Sequence, residues 1–203
     1  MKQLETRSIT TEFTADSDSR TIHGLAIPVN TRSELLGGEF YETISDAAIT
    51  EDFLRSQDIK LYLDHDPSHG TFARSKFGEG TLDLMLTERG LEFETQVPNT
   101  VFGDALLEGI RRGDYDAISF AFWTDDDIWS DNHDGTYSRQ INSLRMLDEI
   151  SILSQLPAYE ATDVEIRSIQ ILKDKESERR EEINKKLDGI LSELEEGCKK
   201  FIV

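Results

Sequence analysis

Cysteine is nearly missing from this chain: of 203 residues only Cys198 carries a thiol. That excludes an intrachain disulfide and a thiolate metal cluster, and it fits a reducing compartment. Basic residues are few, 22 against 41 acidic ones, for a net charge of −19. A partner made of nucleic acid, or an anionic membrane surface, requires a basic footprint that this balance does not supply. Long apolar runs are lacking too. The opening Met1-Lys-Gln-Leu-Glu-Thr-Arg7 has no apolar signal core, and no stretch approaches membrane-spanning length. The expectation is a soluble protein that stays in the cytoplasm of the cell that makes it.

What is present suffices for a core. Hydrophobic residues make up 37% and there are ten Phe, which suits one domain with an appendage. Ile9 to Phe13 and Thr21 to Val29 read as strands around the polar turn Ala15 to Ser19. Ser45 is placed to cap a helix reaching Ser56, with Ala48, Ile49, Phe53 and Leu54 on its apolar face. Leu82, Leu84 and Leu86 alternate, as do Leu91, Phe93 and Val97, and Glu88-Arg-Gly90 joins them as a hairpin. Thr100 caps a second helix through Arg112, with Val101, Ala105, Leu106 and Ile110 as its stripe, and Gly113 stops it. An acidic turn is expected at Asp125 to Asp127 and a hairpin tip at Asn132-His-Asp-Gly135. Many short, mostly antiparallel strands with two helices predict a mainly β, α+β fold. Its form would be a closed β-barrel with helices packed outside.

Composition changes near Lys173. Ile183, Leu187, Ile190, Leu191 and Leu194 recur at helical spacing, and Glu181 and Glu182 each precede a Lys by four residues. The division expected is residues 1–170 as the main domain and 171–203 as an amphipathic helical tail. That tail either packs back on the domain or serves as a scaffold-like tether.

Chemistry concentrates in three stretches. Ile59, Leu61, Leu63 and His65 fall at every second position, which puts a titratable ring at the end of an apolar strand face. Ser119 alternates with Ala117, Ala121 and Trp123, while Ile118, Phe120 and Phe122 fill the other face; the small neighbours would leave space for access to a hydroxyl. Glu149 shares a face with Leu147 and Ser151, where a carboxylate is otherwise out of place. A serine nucleophile needs a base in reach and a third group to orient it, whereas an arbitrary strand serine far more often simply bonds to nearby backbone, and spacing alone does not overturn that. Metal hydrolysis is a second reading, through His65, Asp66 and His69 or through Asp131, His133 and Asp134. Pro67 keeps His65 and His69 off one helical turn, however, and Ser130 and Ile141 stand where a calcium loop needs acids.

His65-Asp66 at a strand end, Ser119-Phe-Ala-Phe122, and Glu149-Ile-Ser-Ile-Leu153 with Pro157-Ala158 and Thr162 together resemble the prohead (procapsid) maturation proteases of tailed phages. Gly24-Leu-Ala-Ile-Pro-Val-Asn30 followed by Phe40-Tyr-Glu-Thr-Ile44 is similar to that family's start, and Gly90-Leu91 with the segment ending at Pro98 fits as well. The likeness spans roughly residues 20 to 165. It implies a serine endopeptidase with a fold similar to herpesvirus assemblin. Such an enzyme, needing no metal or cofactor, trims the scaffolding segment of the major capsid protein inside the immature shell and often cuts itself. By this carry-over Ser119 is the nucleophile and His65 the base and acid, with Glu149 as third member ahead of Asp148 and Asp66. Ala121 departs from the glycine expected after the Ser-Phe pair. The partners implied are the major capsid protein and other prohead components, and relatives on the fold suggest dimers. A catalytically silent scaffold that has kept the protease domain is the non-enzymatic counterpart. Self-cleavage is expected around Ile171 to Ser177.

Overall fold

A long hairpin organises the protein. In the computed structural model, which describes residues 4–11, 13–16, 19–155, 169–170, 173–174, 177–187 and 189–190, strand β10 (Ala117–Asp131) turns back through 132–136 into strand β11 (Tyr137–Leu153). The acidic stretch expected to turn at Asp125 to Asp127 instead continues as strand. Register shifts at Thr124, Asp126 and Asp127 absorb the irregularity. Cross-strand donors hold the carboxylates: Asn142 donates to Asp126 at 3.0 Å and Arg139 to Asp127 at 2.8 Å.

The remaining strands assemble on this hairpin and beside it. β1 (Glu5–Thr10) pairs antiparallel with β10. The other side of β11 carries two parallel neighbours, β4 (Phe40–Ile44) at Tyr137–Ile141 and β5 (Asp58–Leu63) at Glu149–Ile152. β6 (Ala73–Lys76) and the two-residue β7 (Glu79–Gly80) extend the sheet past β5. A second sheet has the order β2–β3–β9–β8, where β2 is Phe13–Ala15, β3 Thr21–Pro28, β8 Leu82–Thr87 and β9 Gly90–Gln96. Gly90 is required at its place: φ is +138°, and a Cβ there would lie 2.0 Å from the Ile27 carbonyl oxygen.

The expected closed barrel does not form. Both sheets are open, the first ending at β1 and β7 and the second at β2 and β8. The core is closed by facing apolar surfaces instead of by edge-to-edge hydrogen bonds. Ile22, Ile27, Leu91 and Phe93 from the small sheet join one buried cluster with Ile118, Phe120, Phe122, Ile150 and Ile152 from the large one. The β7 edge is only two exposed residues long, which limits it as a template for further pairing.

Local signals explain the helices. The helix expected over Ser45 to Ser56 is split. Ser45 caps a 3-10 turn at Asp46–Ala48, Ile49 is extended, and Thr50 caps the short helix α1 (Glu51–Arg55) by accepting from the Phe53 N–H. A second good N-cap inside the segment restarts the helix there. Helix α2 (Val101–Arg112) runs from the Thr100 cap to Gly113, whose φ of +73° makes the left-handed stop. Its buried residues are Gly103, Leu106, Leu107, Gly109 and Ile110, and Val101 and Ala105 lie exposed, contrary to expectation.

The chain divides into two compact units, Met1–Glu160 and Ala161–Val203. In the second, residues 177–187 are helical, with Ile183 and Leu187 about half exposed. Leu191, Leu194, Cys198, Pro157, Ala158 and Thr162 lie outside the described residues, as does most of the expected cleavage segment. Among the described residues no helix is long and apolar enough to cross a membrane.

Candidate active site

β5 buries Ile59 and Leu61 in the core and turns Lys60 and Tyr62 to the opposite face. Through the parallel ladder Lys60 lies beside Glu149 and Tyr62 beside Ser151. The strand ends at Leu63, and Asp64 and His65 follow with φ of 53° and 58°. With the Asp66 N–H donating to the Leu63 carbonyl at 3.0 Å, these angles match a type I′ turn. The turn breaks the alternation read from the sequence. His65 leaves the Leu61 face and reaches the Glu149 face, where its Nδ1 meets Glu149 Oε1 in a close hydrogen bond. Engagement of Nδ1 leaves Nε2 as the ring atom that can exchange a proton with a substrate or nucleophile.

Glu149 is on that face because β11 carries a bulge. The ladder passes from Ala121 opposite Glu149 to Phe122 opposite Leu147, so Asp148 has no partner on β10. Leu147 and Ile150 therefore both enter the core, and Glu149 shares its face with Ser151 but not with Leu147 as the alternation suggested. Ser151, fully buried, donates to Glu149 Oε2 at 3.0 Å. The other carboxylates considered for this role are engaged elsewhere. Asp148 accepts from Lys60 Nζ at 3.1 Å, and Asp66 caps the next 3-10 turn by accepting from the Ser68 N–H at 2.8 Å. That bond and the Ser68 hydroxyl hold the Asp66 carboxyl below its usual range.

Ser119 sits directly opposite Ser151 on β10. The open space expected beside it is absent: Ser119 and Ala117 have no solvent exposure and Ala121 has 2%. Its hydroxyl donates to the Arg7 carbonyl on β1 at 2.8 Å. His65 and Glu149 are thus in contact, while Ser119 is one strand removed, across β11, with its proton turned toward backbone.

β1 is fixed to the hairpin by a buried ionic cluster. Arg7 donates to Glu42 at 2.7 and 2.8 Å, and Arg139 donates to both Glu42 and Glu5. Burial works to raise the Glu5 carboxyl, but hydrogen bonding to Arg139 and the charges of Arg139 and Arg7 outweigh it and hold the group below its usual range. A cavity of about 440 Å³, whose lining includes Ile9, Leu25, Leu36, Phe120, Arg7 and Glu42, borders the same strand. Phe120 faces the core, so the cavity lies on the side of β10 away from Ser119.

Neither group of the metal reading closes into a site. His69 packs its ring on Phe102 with centroids 5.2 Å apart, and His133 stands in the hairpin turn 3.3 Å from Asp131. Among the described residues no group of three or more His, Cys, Asp or Glu is placed to hold a metal ion. The sequence reading missed Ser151 as a partner of Glu149. Its position two residues along the same strand was the available signal.

A histidine held through Nδ1 by a carboxylate, beside a rung of two strand serines, provides the components of serine-hydrolase chemistry. The chain belongs to the caudovirus prohead serine protease family, whose model matches residues 2–176. Among solved structures it is similar to the capsid assembly protease gp21 of bacteriophage T4, at 13% identity and a TM-score of 0.48, over 74% of this chain and 97% of that one. No curated protein matches.

Proposed function

We propose that this family member is a serine endopeptidase that cleaves the scaffolding segment of the major capsid protein, and itself, inside the immature shell. The observation carrying this reading is the His65–Glu149 contact on the sheet face that also bears Ser119. Glu149 fixes the imidazole and offsets the charge it acquires. His65 takes the Ser119 proton at Nε2 as the hydroxyl attacks the scissile carbonyl, then returns it to the leaving amine; water completes hydrolysis of the acyl-enzyme. For this, the Ser119 hydroxyl must exchange the Arg7 carbonyl for His65.

That same Arg7 bond and the burial of Ser119 favour a second reading, a protease domain retained as a silent assembly module. Co-expression with the cognate major capsid protein separates the two, comparing wild type and Ser119→Ala by intact mass. Capsid protein shortened by wild type alone supports the peptidase and its nucleophile. Assembled but uncut shells in both cases favour the silent module, and equal cutting by both removes Ser119 from the role.

A further inference from the structure

The ring of His65 is aimed by a backbone turn that costs free energy unless something outside the turn holds it. Two successive non-glycine residues at positive φ are uncommon. Asp and His tolerate that region better than most residues, but tolerance does not select this turn over others. Three bonds to the end of β11 and the residue after it do. The Asp64 N–H donates to the Ile152 carbonyl at 2.9 Å. The Asp64 carboxylate accepts from the Ser154 N–H through Oδ1 and from the Ser154 hydroxyl through Oδ2, each at 2.7 Å. Ser154 follows β11, the strand that carries Glu149, so the clamp ties the histidine turn to the strand bearing the histidine's own partner.

We infer that Asp64 is a positioning residue: by gripping Ser154 it locks the 63–66 turn and sets His65 against Glu149. It touches no reacting atom. The inference rests on the reading of His65 as general base, and goes beyond it by assigning the aim of that base to a neighbouring carboxylate. A carboxylate at this point could otherwise serve as a general polar group of the surface, and Ser154 is exposed. The bidentate geometry onto one residue is what a clamp requires.

The test uses full-length protein with Asp64→Gly and Asp64→Asn. Glycine adopts positive φ without steric cost but removes the clamp, whereas asparagine tolerates the turn and can still accept from the Ser154 N–H and donate to its hydroxyl. Two readouts are taken: the labelling rate with a fluorophosphonate, and the downfield proton resonance of the His65 Nδ1–H bonded to Glu149, assigned by its loss in His65→Gln. Asp64→Gly is expected to lower labelling by roughly 10²-fold, the scale of a misplaced catalytic group, and to erase the resonance while the fold persists by circular dichroism. Asp64→Asn is expected to keep both largely intact. A resonance retained in Asp64→Gly, or lost equally in Asp64→Asn, overturns the inference. If wild type does not label at all, the peptidase reading fails, and the resonance alone still decides whether Asp64 holds His65.

Discussion

Ser119 and Ser151 face each other on one rung of the β10–β11 ladder, both wholly buried and with different hydrogen-bond partners. Ser151 donates to Glu149, and Ser119 to the Arg7 carbonyl. A nucleophile must be able to release its proton to the base. The Ser151 hydroxyl is committed to the carboxylate that orients that base, whereas Ser119 is held by a single backbone acceptor. Ser119→Ala is therefore expected to abolish fluorophosphonate labelling. Ser151→Ala should retain it at a rate lowered roughly ten- to a hundredfold, the scale of one hydrogen bond to a charged group. Labelling that survives in Ser119→Ala but vanishes in Ser151→Ala would exchange their roles.

Glu149 can be separated from its neighbours in the same way. With Nδ1 of His65 against its carboxylate, Glu149→Gln keeps the shape but loses the charge and the tautomer preference. In the Ser-His-Asp template that change costs about 10⁴-fold in kcat. Asp148→Asn removes only a partly exposed ion pair with Lys60, so cleavage of the capsid protein should stay within about fivefold of wild type. Similar losses from both substitutions would show that charge on this strand matters, and not the contact with His65.

The pairing of His65 with Glu149 was legible in the sequence, but not the geometry that joins them, nor the Ser151 bond to the same carboxylate. Alternation placed Leu61 and His65 on one face and Leu147 and Glu149 on another. A two-residue turn at Asp64–His65 and an unpaired Asp148 invert both assignments. Either irregularity shifts side chains by one face, and neither has a glycine or proline to announce it. The barrel expectation failed for a related reason. Most pairings are antiparallel as expected, but β6 and β7 and the parallel pairing of β4 and β5 with β11 had no signal in the alternation, and alternation does not say whether sheet edges meet. The bulges that let β10 run through Asp125 to Asp127 are set by partners such as Arg139, distant in sequence. The bounds of helix α2, fixed by the local signals Thr100 and Gly113, were legible to the residue, though not all of its buried face.

Arg139 tests how β1 is retained. Desolvation lowers its proton affinity, but bonds and charges from Glu5, Glu42 and Asp127 more than offset this and raise it above its ordinary value. Arg139→Met leaves Glu5 and Glu42 buried with one cation fewer, and breaking a buried pair from one side costs about 3–5 kcal/mol. Urea unfolding should show a loss of this order. The double substitution Arg139→Met with Glu5→Leu should lose less than the sum of the two single changes, since it removes partners together. Strict additivity would mean that the contacts do not couple.

Acid should weaken the same cluster. The folded-state carboxyl of Glu5 lies below its ordinary value of 4.5. Its contribution is therefore complete above the unfolded value and is lost as pH falls through the folded one, because the unfolded chain binds the proton more readily. Stability to urea is expected to be level from neutral pH down to about pH 5 as far as Glu5 is concerned, then to fall toward pH 3. Asp58, Asp66 and Asp134 are also held low, by Arg74, Ser68 and Thr136 respectively, so wild type alone cannot apportion the slope. Glu5→Gln does so. It should be less stable than wild type at pH 7, where Arg139 and Arg7 lose a charged partner. As pH falls below 4.5 the gap between the two proteins should narrow, because the unfolded wild-type chain takes up a proton at Glu5 that glutamine does not. A gap that stays constant from pH 7 to pH 3 would show that Glu5 acts through packing and not through its charge.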